Sequence, residues 1–391
     1  MVAGLAFGLD FPDVAIHLKV ISKIFLKLIK SIIGPLLFAT LVTGIAGHSD
    51  LKKVGRMGGK ALIYFEIVTT LALVIGLVAI NLTRAGDGIS LPPSLEDIPK
   101  VLPQTWEEII LHIFPENIAK SIADGQILQI VVFSLLFGIG LSLVEGHHKR
   151  TMLNGLNALA EVMFKFTQVI MYLAPLAVGA ALAYTVAHMG IGVLSNLFLL
   201  YFTLVGALLA FVLLVLLPIA LFTKLPIKQF AIAIADPVTL AFATTSSEAA
   251  LPKAMRAMER LGVPRPVVAF IMPTGYSFNL AGTTLYLALA SIFVAQAAGI
   301  ELSLERQIAM VLTLMVTSKG VAGVPRASLV ILMGTAASFG LPLEPIFIIL
   351  GIDELMDMAR TSVNVIGNCL ATWVIAKWEN EEIIPLLQEA D

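Results

Sequence analysis

The sequence predicts an all-α, polytopic membrane protein of eight transmembrane helices, the first truncated, and two re-entrant helical hairpins arranged as inverted repeats. Three observations carry that expectation. Of 391 residues, 58% are hydrophobic and 13% charged, with mean hydropathy +0.94; a soluble domain carries about a quarter charged residues. Apolar stretches long enough to cross a bilayer recur along the chain. Two more are broken by Gly, Pro, Ser and Thr, and short motifs repeat in the C-terminal half. The same composition narrows the function. The net charge of −2 says nothing about partners, and no basic run suggests nucleic acid. Cys369 is the single cysteine and the six histidines form no HExxH pair, so neither a disulfide framework nor a metal centre is expected.

In chain order, Val2-Ala-Gly-Leu-Ala-Phe-Gly-Leu is too short to span a bilayer and reads as the end of a first helix. It lacks the n-region and cleavage pattern of a signal peptide. Apolar spans follow at about 15–47, 61–83, 124–145, 155–187, 192–222, 266–298 and 345–377, with the interrupted stretches at about 226–256 and 304–338. Lys52, Lys53, Arg56 and Lys60, then Lys149 and Arg150, then Lys224 and Lys228, then Lys253, Arg256, Arg260 and Arg265 mark one side of the membrane. The positive-inside rule makes that side cytoplasmic. The crossings balance only if 226–256 and 304–338 enter and leave on the same side, the first opening to the cytoplasm and the second outside. Irregular backbone at that depth is tolerated only around a protein-enclosed cavity.

The repeat is short but ordered. Ala249-Ala-Leu-Pro252-Lys-Ala254 matches Ala322-Gly-Val-Pro325-Arg-Ala327, and Ser277-Phe-Asn279-Leu-Ala-Gly282 matches Ser362-Val-Asn364-Val-Ile-Gly367. Hairpin–helix, hairpin–helix with opposite openings is an inverted repeat, which places substrate and ion sites near the midplane. In the last span, Asp353, Asp357, Arg360, Thr361, Asn364 and Asn368 fall on one helical face by their spacing. A charge at mid-bilayer costs roughly 2.5–3.5 kcal/mol even on the gentler scales, so these side chains face protein, water or ligand and mark a functional site. A carboxylate beside a guanidinium, followed by amides, suits a zwitterion with an anionic side chain. The plainer alternative is that Asp357 and Arg360, at i,i+3, only neutralise each other. Glu354 lies about 100° off this stripe and is expected to be solvated.

At these residues the chain resembles the dicarboxylate/amino acid:cation symporter family, which includes the glutamate transporters, over essentially its whole length. The matching motifs are Thr244-Thr-Ser-Ser-Glu-Ala-Ala-Leu-Pro252, Pro273-Thr-Gly-Tyr-Ser-Phe-Asn-Leu-Ala-Gly-Thr283, Thr317-Ser-Lys-Gly-Val-Ala-Gly-Val-Pro325 and Asp357-Met-Ala-Arg-Thr-Ser-Val-Asn-Val-Ile-Gly-Asn368. It looks closest to the bacterial proton-coupled glutamate/aspartate branch. The resemblance implies a homotrimer in the plasma (inner) membrane, multi-pass, with a cytoplasmic C-terminus. Each protomer would join a static scaffold to a transport domain that moves like an elevator. On that pattern residues 1–60, 85–151 and 152–190 are scaffold, and 61–84, 191–223 and 224–391 belong to the transport domain.

The resemblance also implies roles. Asp357 would accept the substrate's α-ammonium and Arg360 would fork onto its side-chain carboxylate. C4-dicarboxylate relatives tend to lack the aspartate and neutral amino acid relatives the arginine, so both together favour L-glutamate or L-aspartate. Thr361, Asn364, Ser246, Ser247, Thr283 and Val324 would complete the substrate cradle, although hairpin serines often only cap helices. Gly275, Ser277, Asn279, Ser318 and Asn368 belong to the coupling-ion region. Sodium-driven members carry aspartates at the positions of Ala281 and Asn368, so two sodium sites look disabled; hard cations need oxygen ligands with negative charge nearby. Ala281 departs even from the proton-coupled branch, which usually keeps that aspartate. Expected in their place are Lys319 as a fixed positive charge and Glu248 as proton carrier, or else a structural Glu248–Lys319 ion pair. The coupling ion is then H+, with Na+ less favoured and no cofactor. The competing readings are a sodium-coupled or C4-dicarboxylate carrier and, from another class, an anion channel.

Overall fold

The computed structural model describes residues 2–46, 53–89, 114–124, 127–190, 192–318 and 327–383, and every regular element among them is helical. Lys319, Val324, Pro325 and Arg326 lie outside the described residues, as does most of the second copy of the Pro-containing repeat. The elements are α1 Val2–Asp10, α2 Pro12–His17, α3 Lys19–Ala46, α4 Lys53–Thr83, α5 Ile118–Asp124, α6 Ile127–Leu143, α7 His147–Met171, α8 Ala174–Met189 and α9 Val193–Phe211. A π-helical turn, Val212–Leu216, leads into α10 Leu217–Phe222. Then come α11 Ile227–Thr244, α12 Ser247–Arg260, α13 Arg265–Phe278, α14 Ala281–Ala297, α15 Leu304–Thr317, α16 Ala327–Ser338, α17 Glu344–Leu350 and α18 Asp353–Trp378.

Four helical stretches among the described residues are long and apolar enough to cross a membrane: Arg56–Thr83, Val193–Phe222, Ile227–Thr244 and Arg265–Ala297. Several spans expected as single helices are divided. Residues 155–187 break at Tyr172–Leu173, where Pro175 opens α8 and has no N–H to continue the ladder. Residues 345–377 break at Gly351–Ile352, and a Cβ on Gly351 would come within 2.5–2.9 Å of the Leu182 side chain of α8. The π turn of the 192–222 span sits just before Pro218, whose ring would clash with a carbonyl four residues back in a regular helix. The break that matters most divides 266–298 at Asn279–Leu280, where ψ swings to 51° and 64°.

Helix α14 is the centre. All of its side chains but Gln296 are buried, as expected of a helix apolar all round. It packs on α4, α18 and α16, while α11, α13 and α12 also lie on α18. Helices α6 and α7 pack chiefly on α3, and α1, α2 and α3 lie along α8. The α1–α8 contact is close because both faces are small: a Cβ on Gly4 or Gly8 would strike the backbone of Gly179 or Ala183. Phe198 and Phe202 are exposed on α9, whereas Phe211 at its end is fully buried. α11 and α12 form a hairpin whose turn is made by Thr245, in the left-handed region at φ 50°, and Ser246.

A charged clamp fastens the end of the site helix. Glu379, just beyond α18, receives Arg56 Nη2 at 2.7 Å and Lys60 Nζ at 2.6 Å from α4, and Lys60 also donates to the Trp378 carbonyl at 2.8 Å. The bond from Lys60, with that from Arg56, holds the Glu379 carboxyl below its ordinary range against the opposing effect of burial. With the folded value lowered, the clamp is complete above the ordinary carboxylate range and is lost as pH falls through the lowered value. On the other side, Trp373 Nε1 donates to the Thr223 carbonyl at 3.3 Å, tying α18 to the end of α10.

Candidate functional site

All six side chains of the polar stripe on α18 are buried. Arg360 is the hub. Its Nε donates to Asp357 Oδ1 at 2.8 Å and its Nη1 to Asp353 Oδ1 at 3.1 Å. Its guanidinium carbon lies 4.0 Å from the ring centroid of Tyr286 on α14, and the Tyr286 hydroxyl donates to Asp353 at 3.2 Å. Thr361 Oγ1 donates to Asp357 at 3.2 Å. The i,i+3 pairing of Asp357 and Arg360 considered from the sequence is therefore present, but it leaves capacity over. Arg360 Nη2 and Asp353 Oδ2 are buried and have no hydrogen-bond partner. A guanidinium carries five donors in a fixed fork, and an unpaired buried donor costs about 1–3 kcal/mol or more when charged. The cluster also holds two carboxylates against one cation.

Further along α18, Asn364 holds the break between α13 and α14. Its Oδ1 accepts the backbone N–H of Gly282 at 2.8 Å and of Thr283 at 3.2 Å, and its Nδ2 donates to Thr283 Oγ1 at 2.8 Å. Opening a helix in the middle of a span exposes N–H groups that need partners; a side chain from another helix supplies them. The two copies of the Ser-x-Asn-x-x-Gly repeat thus touch, although one is broken and the other lies in continuous helix. Only glycine fits at 282, since a Cβ there would strike the Arg360 carbonyl. One turn on, Asn279 Nδ2 donates to Asn368 Oδ1 at 3.1 Å, leaving Asn279 Oδ1 and Asn368 Nδ2 buried without partners. A Cβ on Gly275 would strike Asn368 Oδ1, and Ala281, two residues after Asn279, is fully buried.

The remaining expected residues lie on other elements. Ser246 is the N-cap of α12, its hydroxyl accepting from the Ala249 N–H at 3.3 Å, which is the capping role foreseen as the plainer one. Ser247 is buried at the first position of α12. Glu248 follows it in the first turn, its side chain outside the description, as is that of Ser277 within α13. Ser318 is buried at the end of α15. Glu354 is half-buried rather than solvated. The sequence reading gave Asp353 no role of its own and missed Tyr286. Their signals were there: Asp353 opens the stripe, and Tyr286 is an isolated phenol in the apolar run of α14.

Comparison with known proteins places this geometry in context. A model of the Sodium:dicarboxylate symporter family matches residues 1–378. The chain is 42% identical over 393 residues to the proton/sodium-glutamate symport protein of Bacillus caldotenax, covering 97% of this chain and 93% of the relative. It is 43% identical over 371 residues to the proton/glutamate-aspartate symporter of Escherichia coli (strain K12), covering 92% and 85%. It is 42% identical over 386 residues to a C4-dicarboxylate transport protein of Cupriavidus necator, covering 97% and 89%.

Proposed function

The chain belongs to the sodium:dicarboxylate symporter family, and from that premise we propose that it carries L-glutamate or L-aspartate together with protons across the plasma membrane. It is a secondary transporter and not an enzyme. Overall identity does not separate amino acid from C4-dicarboxylate, since relatives of both kinds lie at 42–43%. What supports the amino acid is the pairing of two groups on one buried face: the Asp357 carboxylate and the Arg360 guanidinium, whose Nη2 has no hydrogen-bond partner. Arg360 offers a fork to the substrate's side-chain carboxylate, and Asp357, on the same face, takes the α-ammonium. A C4-dicarboxylate has no ammonium and would leave Asp357 facing like charge. Thr361, Ser246 and Ser247 would surround the α-carboxylate together with Val324. Asn364 and Thr283 act by holding the helix break open at that height.

Charge balance supports a coupled cation. With both carboxylates ionised, Asp353, Asp357 and Arg360 sum to −1, and an acidic amino acid adds another −1. In a site of low dielectric that repulsion has to be neutralised. Direct bonding between Asn279 and Asn368, with alanine at 281, favours a proton over sodium. Glu248 is our candidate carrier, with Lys319 supplying a fixed charge. The remainder of the reading is architectural. Packing of α4, α9, α11–α14 and α18 chiefly on one another, with little contact to α3 and α6–α8, supports a transport domain moving against a scaffold. The α11–α12 and α15–α16 pairs serve as re-entrant hairpins, the protomers form a homotrimer, and the C-terminus is cytoplasmic.

The discriminating test is competition. Uptake of labelled glutamate by the reconstituted protein should be blocked by unlabelled aspartate, whereas succinate should require at least about tenfold more. Equal or better competition by succinate would make the chain a dicarboxylate carrier. Ion conductance without stoichiometric substrate movement would make it an anion channel.

A further inference from the structure

Helix α3 opens with lysines at 19, 23 and 27, one turn apart along one side. We infer that this stripe is a docking surface for the headgroup of an anionic phospholipid. Lys23 and Lys27 are exposed, and neither has an ion-pair or hydrogen-bond partner among the described residues. Asp10 and Asp13, on α1 and α2, form no ion pair with them. Lys19 marks the inner end of the stripe. Its ammonium donates to the Tyr184 hydroxyl at 3.1 Å and lies 4.9 Å from the Tyr184 ring and 5.8 Å from that of Phe347. Three like charges at one-turn spacing repel, and among the described residues no carboxylate pairs with Lys23 or Lys27.

Length places the stripe at headgroup depth. The 28 residues of α3 span about 42 Å, against a hydrocarbon core of about 30 Å. The excess of about 12 Å equals the rise from Lys19 to Lys27. Beside the lysines, Val20 and Ile24 are 59% and 50% exposed, so a phosphate and the start of an acyl chain find partners on adjacent faces. In the topology proposed from the basic loops this end of α3 lies outside, where lysines are disfavoured. A bound anion removes that conflict. Across a two-fold axis a second copy would bring like charge to like charge, and free phosphate would leave Val20 and Ile24 without an apolar partner. The inference rests on membrane location and not on which substrate is carried.

The full chain, purified in neutral detergent, is offered phosphatidylglycerol and phosphatidylcholine, and retained lipid is read by native mass spectrometry. Wild type should retain phosphatidylglycerol preferentially, and Lys23→Gln/Lys27→Gln should lose that preference by about fivefold per lysine. Lys23→Arg/Lys27→Arg should keep it. No preference in wild type, or equal retention by the glutamine variant, would overturn the inference. So would a change of oligomeric state with lipid retention intact, which would assign the face to contacts between copies.

Discussion

Replacing Arg360 by lysine is expected to reduce apparent affinity for glutamate by at least about 100-fold while leaving a folded protein. Lysine keeps the unit charge, so Asp353 and Asp357 are not stranded. It loses the fork, the simultaneous bonds of Nε to Asp357 and Nη1 to Asp353, and the stack on Tyr286. A charge-assisted bond from the fork to the substrate carboxylate, made in the bound state alone, contributes about 1.5–3 kcal/mol. A loss of about 3 kcal/mol from the bound state is two decades of affinity. Thermal unfolding read beside uptake separates this from misfolding. Arg360→Ala, which takes the guanidinium from between Asp353 and Asp357, should instead lose about 3–5 kcal/mol of stability. Wild-type affinity in Arg360→Lys would mean that Arg360 only neutralises its neighbours.

Asp357→Asn should change what is recognised rather than how tightly everything binds. The amide is nearly isosteric and can keep the bonds from Arg360 Nε and Thr361 Oγ1 through its oxygen. It cannot offer a charge to an α-ammonium. Glutamate uptake should fall by about 100-fold, while inhibition by succinate, which has no ammonium, should hold or strengthen. Measured as competition curves on one preparation, the two ligands should therefore move apart. If both weaken together, Asp357 serves the ion pair alone, and the site has no built preference for an amino acid.

How much of this was legible in the chain follows from the range of each interaction. The stripe from Asp353 to Asn368 could be read because helical spacing is local, and all six residues do face inward together. The hairpin at Thr245–Ser246 was visible for the same reason, in a Thr/Ser-rich interruption of an apolar run. The break at Asn279–Leu280 was not, because apolar residues flank it on both sides. What stabilises it is Asn364, 82 residues away from Gly282. The clamp on Glu379 joins residues 323 apart. Tyr286 was overlooked because a phenol in an apolar helix reads as packing until the guanidinium above it is known. The internal repeat came nearest to revealing the long-range contact, since the two Ser-x-Asn-x-x-Gly segments that match in sequence are the ones that meet.

The most direct test of proton-coupled acidic amino acid transport is uptake of labelled glutamate and aspartate into proteoliposomes, with a pH gradient and a sodium gradient imposed separately. Uptake driven by the pH gradient alone, unchanged when sodium is replaced by choline and lost in Glu248→Gln, is the predicted result. Uptake that requires a sodium gradient and ignores the pH gradient would contradict it, and would mean that a cation site forms despite Ala281 and the Asn279–Asn368 bond.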